Sequence, residues 1–217
     1  MATYLDTVNN VLRRLREPTV QSVDDTPYSS MIGVLVNDAK REVEDATEWN
    51  SLSSTVTVNT VDGTYNYTLT GAGTRFRVID VVNDTSNTVL QNAPTNWMTQ
   101  QFLFTADTDR GSPMYYNFNG VDTNGDTQVD LYQRPSGVFT IRFNLVVPQA
   151  ELSTNTTRIL VPAHLVAMLA YAKAIAERGE DGGNLSSEAY ALYKNALANE
   201  VAIERNRYSE EMNWTAP

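Results

Sequence analysis

The sequence has no cysteine, one histidine, and only three lysines, Lys40, Lys173 and Lys194. Missing thiols exclude disulfides, thiolate metal sites and cysteine nucleophiles, and they fit assembly in a reducing cytoplasm. Nowhere do about 18 apolar residues run together, so no membrane span is expected. Met1–Arg16 lacks a basic start followed by an apolar block, and so does not read as a secretory signal. Scarce lysine accompanies a formal charge of −10 over 217 residues. The acidic excess is spread evenly: residues 1–50, 51–150 and 151–217 carry −4, −3 and −3. Sequence-independent DNA binding depends on clustered Lys and Arg that release phosphate counterions. No segment is basic, so a conventional nucleic-acid binder is excluded. A hydrophobic content of 41% is that of a globular chain.

The apolar pattern changes period twice. Leu5, Val8, Leu12 and Leu15 recur at steps of three and four, one stripe of an amphipathic helix over Thr3–Arg16. Glu17-Pro18 ends it, because proline disfavours helical geometry in the residue before it. After a polar loop, a second helix runs from about Ser29 to Trp49, with Ile32, Leu35, Val36, Ala39, Val43 and Ala46 on one face and Ser29 or Ser30 as its cap. From Ser51 to Pro148 the composition turns to Thr, Val, Asn, Tyr and Gly. Asp62-Gly63, between Val56/Val58 and Tyr65/Tyr67/Leu69, predicts one hairpin; Asn124-Gly125 predicts another between Met114–Phe118 and Gln128–Tyr132. Phe76–Val82 reads as a buried strand, Val138–Val147 as a last strand, and Asn96–Thr105 as a short helix.

At Ile159 the helical period returns, with Pro162 at a first-turn position, then Leu165, Met168, Leu169, Ala172 and Ile175. Glu180-Asp181-Gly182-Gly183 breaks it, and a last helix from Ser186 carries Ala189, Leu192, Tyr193, Ala196 and Leu197 on its apolar side. Ser209–Pro217 has no period. These elements predict an α+β fold. Helix pairs in residues 1–50 and 159–208 form a four-helix bundle, because neither pair can bury its stripe alone. An antiparallel β domain is inserted at 51–158, and 209–217 is an extended C-terminal tail.

No enzyme site emerges. Asp122-Thr-Asn124-Gly-Asp126 resembles a calcium loop, but glycine falls fourth rather than sixth and Gln133 stands where the bidentate glutamate belongs, so a hairpin turn explains it. His164 has Ala163 and Leu165 beside it, no organised partner for a triad or a metal. Gly71-Ala-Gly73 opens no helix and is no phosphate loop. Five Asn-X-Ser/Thr sequons follow from abundant Asn and Thr. Asp38, Glu42 and Asp45 share one side of the second helix, where they form a solvated acidic face or one that looks into a channel. Met212 and Trp214 stand in the aperiodic tail, and groups of that kind serve as interface anchors. No cofactor and no metal is expected.

Three stretches carry a resemblance: Tyr4–Pro18, a helix closed by proline; Asp38–Trp49, a helix ending in tryptophan before the β region; and Val161–Gly182 with the Glu188–Tyr193 helix after it. In this order they resemble the head-to-tail adaptor (connector) proteins of tailed bacteriophages, including the tail tubular protein A family. Ala176–Gly183 is similar to adaptors of cyanophage-like viruses. The resemblance implies a non-enzymatic virion protein at the head-tail junction, assembled in the host cytoplasm. It further implies a dodecameric ring of bundle subunits between the portal protein ring and a tail or nozzle protein, enclosing the DNA exit channel with only weak passing contact with DNA. The C-terminal tail would insert into the portal. The rival reading is a carbohydrate-binding β module on a helical base, using Trp97, Phe102 and Phe104.

Overall fold

Thr3 begins the first helix by capping. Its hydroxyl accepts the Asp6 N–H at 3.2 Å while the Asp6 carboxylate accepts the Thr3 N–H at 3.0 Å, a reciprocal capping box. The Thr3 backbone N–H first, and then the Thr3 hydroxyl, hold the Asp6 carboxyl below its ordinary range. Helix α1 then runs Tyr4–Arg14 and ends as Arg16 takes the left-handed conformation (φ 61°). Helix α2 spans Pro27–Ala46. Its cap is Thr26 rather than Ser29 or Ser30: Thr26 accepts the Ser29 N–H at 3.0 Å, and Pro27 occupies the first turn, where its missing N–H costs nothing.

The computed structural model describes residues 2–104, 110–179 and 183–207. The chain divides into two compact units, Met1–Leu52 with Gln149–Pro217, and Ser53–Pro148.

In the first unit, α1 and α2 pack on each other and on α4 (Ala163–Arg178), and α5 (Asn184–Arg207) packs on α4. Val8, Val11 and Leu12 of α1, Ile32, Val36, Ala39 and Val43 of α2, and Leu165, Val166 and Leu169 of α4 are all buried. Burying such a side chain contributes about 1.5–3 kcal/mol, which isolated helices of this length need in order to persist. The close approach of α1 to α2 is at Gly33, where a methyl group would lie 2.5 Å from Tyr4 Oη and 2.6 Å from Val23 Cγ1. Gly179, in the left-handed conformation at φ 62°, terminates α4. The expected apolar side of α5 is only half used: Ala189 and Tyr193 are buried, but Leu192 is 55% exposed.

The second unit contains β1 (Ser53–Asn59), β2 (Asn66–Thr68), β3 (Arg77–Asn83), β4 (Thr88–Val89), β5 (Gln91–Asn92), α3 (Thr95–Phe104), β6 (Arg110–Gly111), β7 (Tyr115–Val121), β8 (Thr127–Tyr132), β9 (Arg134–Pro135) and β10 (Thr140–Val146). One sheet has the order β1-β10-β3-β4, another β2-β8-β7-β5, and β6 pairs with β9. The β7–β8 hairpin forms as its Asn-Gly turn requires. The Asp62-Gly63 turn also forms, with Gly63 at φ 77° and Thr64 N–H bonded to Val61 O, but its flanking strands part into different sheets. β1 pairs with β10 from Ser53↔Val146 to Asn59↔Thr140, whereas β2 pairs with β8. A turn signal thus specifies the reversal without specifying the partner. Nor is the unit purely antiparallel, since β5–β7 and β6–β9 are parallel. β3 is not fully buried either: Ile79 is exposed, while Val81 joins Val58, Leu69, Val129, Leu131, Ile141, Phe143 and Leu145 in the core.

Candidate functional site

Helix α2 bears two polar faces with different uses. Asn37, Lys40 and Glu44, spaced three and four apart, face the returning segment 149–152 and bind its backbone. Lys40 Nζ donates to Gln149 O at 2.7 Å, Ala150 O at 3.2 Å and Glu44 Oε1 at 3.1 Å. Glu44 in turn accepts the Gln149 N–H at 3.2 Å, and Asn37 exchanges a reciprocal pair of bonds with Leu152. The Lys40 and Glu44 side chains are 4% and 1% exposed, so the ion pair and its bonds to the backbone stand in for the water each charge has lost. Gln149 extends the lattice by donating to Arg158 O at 2.7 Å and accepting the Leu160 N–H at 3.2 Å. At the end of α2, the buried Trp49 indole donates to Val43 O at 2.7 Å.

The other face of α2 is exposed and carries Asp38, Arg41 and Asp45. Glu42 turns toward α4 instead, with its carboxylate 2.5 Å from Lys173 Nζ. Asp38 and Asp45 therefore lie on a solvated, mixed-charge surface, whereas Glu42 belongs to an interhelical ion pair. Behind that pair, the Tyr193 phenol of α5 is pushed up to about 12, by burial first and then by Glu42 and Tyr190.

Beyond the last turn of α2, Trp49, Asn50, Leu160, Pro162, Glu200, Ile203 and Glu204 line a cleft of about 370 Å³. Glu204 accepts the Asn50 N–H at 2.9 Å. His164, half-exposed on the first turn of α4, places Nε2 3.4 Å from Glu200 Oε1. That contact joins α4 to α5; no nucleophile is within its described partners.

In the second unit the suspected calcium loop is a closed turn. Asp122 accepts the N–H groups of Asn124 at 2.8 Å and Asp126 at 2.9 Å, and these bonds, Asp126 foremost, hold its carboxyl below the usual range. Asp126 accepts the Gly71 and Gly73 N–H groups at 3.0 and 3.1 Å, tying the Gly71-Ala-Gly73 loop to the hairpin. Among the described residues no group of three or more His, Asp or Glu is placed to hold a metal ion. Trp97 and Phe102 are half-buried in an aromatic cluster: Trp97 packs on Tyr115 and Tyr132, and Phe102 on Tyr65 and Tyr132. The Phe104 side chain lies outside the described ones, as do the tail residues Met212 and Trp214.

Among the described residues these are packing and clamping groups, an exposed charged surface and a cleft. A family model described as SU10 adaptor protein matches residues 2–216. The chain belongs to the SU10 adaptor protein family. It is thereby a phage adaptor, a virion structural protein. No curated protein matches the chain. Among the described residues no helix is long and apolar enough to cross a membrane. The residues missed by sequence reasoning are Lys40 and Glu44. The available signal was their i, i+4 spacing on a side of α2 continuous with Asn37 and distinct from the Asp38/Asp45 side.

Proposed function

We propose that this adaptor is the subunit of a dodecameric ring that docks beneath the portal and receives the tail, enclosing the path by which DNA leaves the head. The observation that carries the reading is the family match over residues 2–216. In this reading α1, α2, α4 and α5 act as a four-helix bundle that forms the ring wall, and the β unit meets a tail or nozzle protein. The exposed α2 surface with Asp38 and Asp45, together with the paired Glu42, faces the channel; an acidic lumen repels phosphate and lets DNA slide. Residues 209–217, with Met212 and Trp214, insert between portal subunits. Many tails engage one portal at once, so contacts that are weak singly hold by avidity.

The test is deletion of residues 209–217. Helix content and thermal stability should remain those of the parent, while co-sedimentation with purified portal rings should be lost. Normal portal binding by the truncated protein would refute the docking role of the tail. A companion anisotropy assay should detect no tight duplex-DNA binding at physiological salt; strong, salt-sensitive binding would contradict the passive-channel reading.

A further inference from the structure

We infer that neighbouring subunits of the ring meet through the outward row of α5 on one copy and the arginine-bearing end of α1 on the next. The inference rests on the ring reading and adds the contact surfaces to it.

The α5 row is a long apolar stripe left in water. Leu185, Leu192 and Ile203 are 56%, 55% and 55% exposed. At 100° per residue the three directions agree within about 20°, and at 1.5 Å per residue they span about 27 Å. A helix that is apolar on more than its packed face is buried on more than one side in its working state. Over residues 184–205 the charges of α5 sort around this stripe, while Arg207 on the last turn falls about 40° from it. Glu188 and Glu200 flank it, about 60° to either side, while Lys194 and Arg205 project from the back of the helix, about 160–180° away. Glu188 is exposed and the Glu200 side chain is 31% exposed. Near Ile203 the row runs into the cleft, where Glu204 adds another carboxylate. The stripe therefore requires a partner surface that is basic and able to cover aliphatic groups.

The chain carries such a surface. In a protein of charge −10, Arg13, Arg14 and Arg16 fall within four consecutive positions. All three are exposed. Arg14 is tied back, with Nε 3.0 Å from Asn10 Oδ1 and its guanidinium above the Tyr171 ring. Arg13 and Arg16 face outward, and Arg13 shares a row with Asp6 and Asn10 at i, i+4, i+7. Favourable interaction with the C-terminal helix dipole explains the sign of Arg13 and Arg14, and with Arg14 held inside the subunit the exposed Arg13 and Arg16 are the groups offered to a neighbour. Arginine stems cover apolar surface while the head groups pair with carboxylates. α1 packs on α2 and α4, and α5 on α4, so the two rows are different surfaces of one subunit. Contact between unlike surfaces is heterologous, the kind that closes a ring instead of stopping at a dimer.

Charge reversal on each side provides the test. Full-length Glu188→Lys and Arg13→Glu/Arg16→Glu proteins should keep the parental circular dichroism, because the changed positions are exposed on the subunit surface. Each alone should self-associate at least about tenfold more weakly than the parent in sedimentation velocity, since like charges then face each other. An equimolar mixture should recover assembly, because every contact between unlike variants pairs Lys with Glu or Glu with Arg. In the cysteine-free chain, Asn10→Cys/Leu192→Cys treated with a short bis-maleimide should give a ladder extending past dimers. Parental assembly by both folded variants, no recovery on mixing, or cross-linking that stops at dimers would overturn this contact and leave the ring standing. Failure of the parent itself to assemble, alone or on portal rings, would overturn the ring and this contact with it.

Discussion

Replacing Lys40 with methionine isolates the most costly polar arrangement in the helical unit. The substitution keeps the volume and apolar stem but removes the ammonium that solvates Glu44 and two strap carbonyls, Gln149 O and Ala150 O. Because the Glu44 side chain is only 1% exposed, its carboxylate cannot turn to water in the existing packing. Breaking a buried pair from one side costs about 3–5 kcal/mol, a large share of a total stability of about 5–15 kcal/mol. Removing both charges in Lys40→Met/Glu44→Met should cost less than the single change. The double variant leaves unpaired backbone groups, about 1–3 kcal/mol, but no buried charge. Urea unfolding followed by circular dichroism at 222 nm, where the helices dominate, gives the three free energies. A Lys40→Met protein within about 1 kcal/mol of the parent, or a double variant less stable than the single one, would refute the strap argument.

Three further outcomes are expected. The Tyr193 phenol ionises at about 12 in the folded chain against its ordinary 10.0. The folded state thus holds the proton more tightly, and the associated stability is complete below the unfolded value and lost as pH rises toward the folded one. Alkaline melting curves of Tyr193→Phe should consequently fall less steeply over that interval than those of the parent; identical limbs would contradict it. Gly33→Ala should lower stability by about 1–3 kcal/mol, because the methyl group overpacks against Tyr4 and Val23, and chemical denaturation will detect it. Asp126→Ala should loosen the Gly71-Ala-Gly73 loop at a cost of about 1.5–3 kcal/mol for hydrogen bonds to a charged acceptor, with faster amide exchange at Gly71 and Gly73 as the readout.

The helices were legible because amphipathic period is a direct consequence of burial on one side: Val8, Leu12, Ile32, Val36, Leu165 and Leu169 are core residues as their spacing demands. Where the period misled, the cause was a second surface. Leu192 has the spacing of a core residue but stands in water, since a stripe facing another molecule and a stripe facing the core look alike in one sequence. Sheet partners were illegible for a related reason. Turn chemistry at Asp62-Gly63 governs four residues, while the pairing of β1 with β10 depends on contacts more than 80 positions away. Lys40 and Glu44 escaped notice because charged side chains are ordinarily solvated; their burial is decided by the strap from residues 149–152, which carries no period of its own. The grouping of Asp38, Glu42 and Asp45 was read from helical spacing alone. Packing separates Glu42 from the other two by bringing Lys173 to it from α4. At the Asn124-Gly125 turn, by contrast, sequence sufficed for the reversal, because the Asp122 bonds that shape it come from within the turn.

The central claim, that this family member is the ring between portal and tail, is tested most directly by imaging. Purified protein mixed with purified portal rings and examined by cryo-electron microscopy should add one continuous collar of density on a single face of each portal, coaxial with its channel and repeating with a regular rotational order. Portals that stay bare at saturating protein, or that carry scattered subunits without a closed collar, would contradict the account.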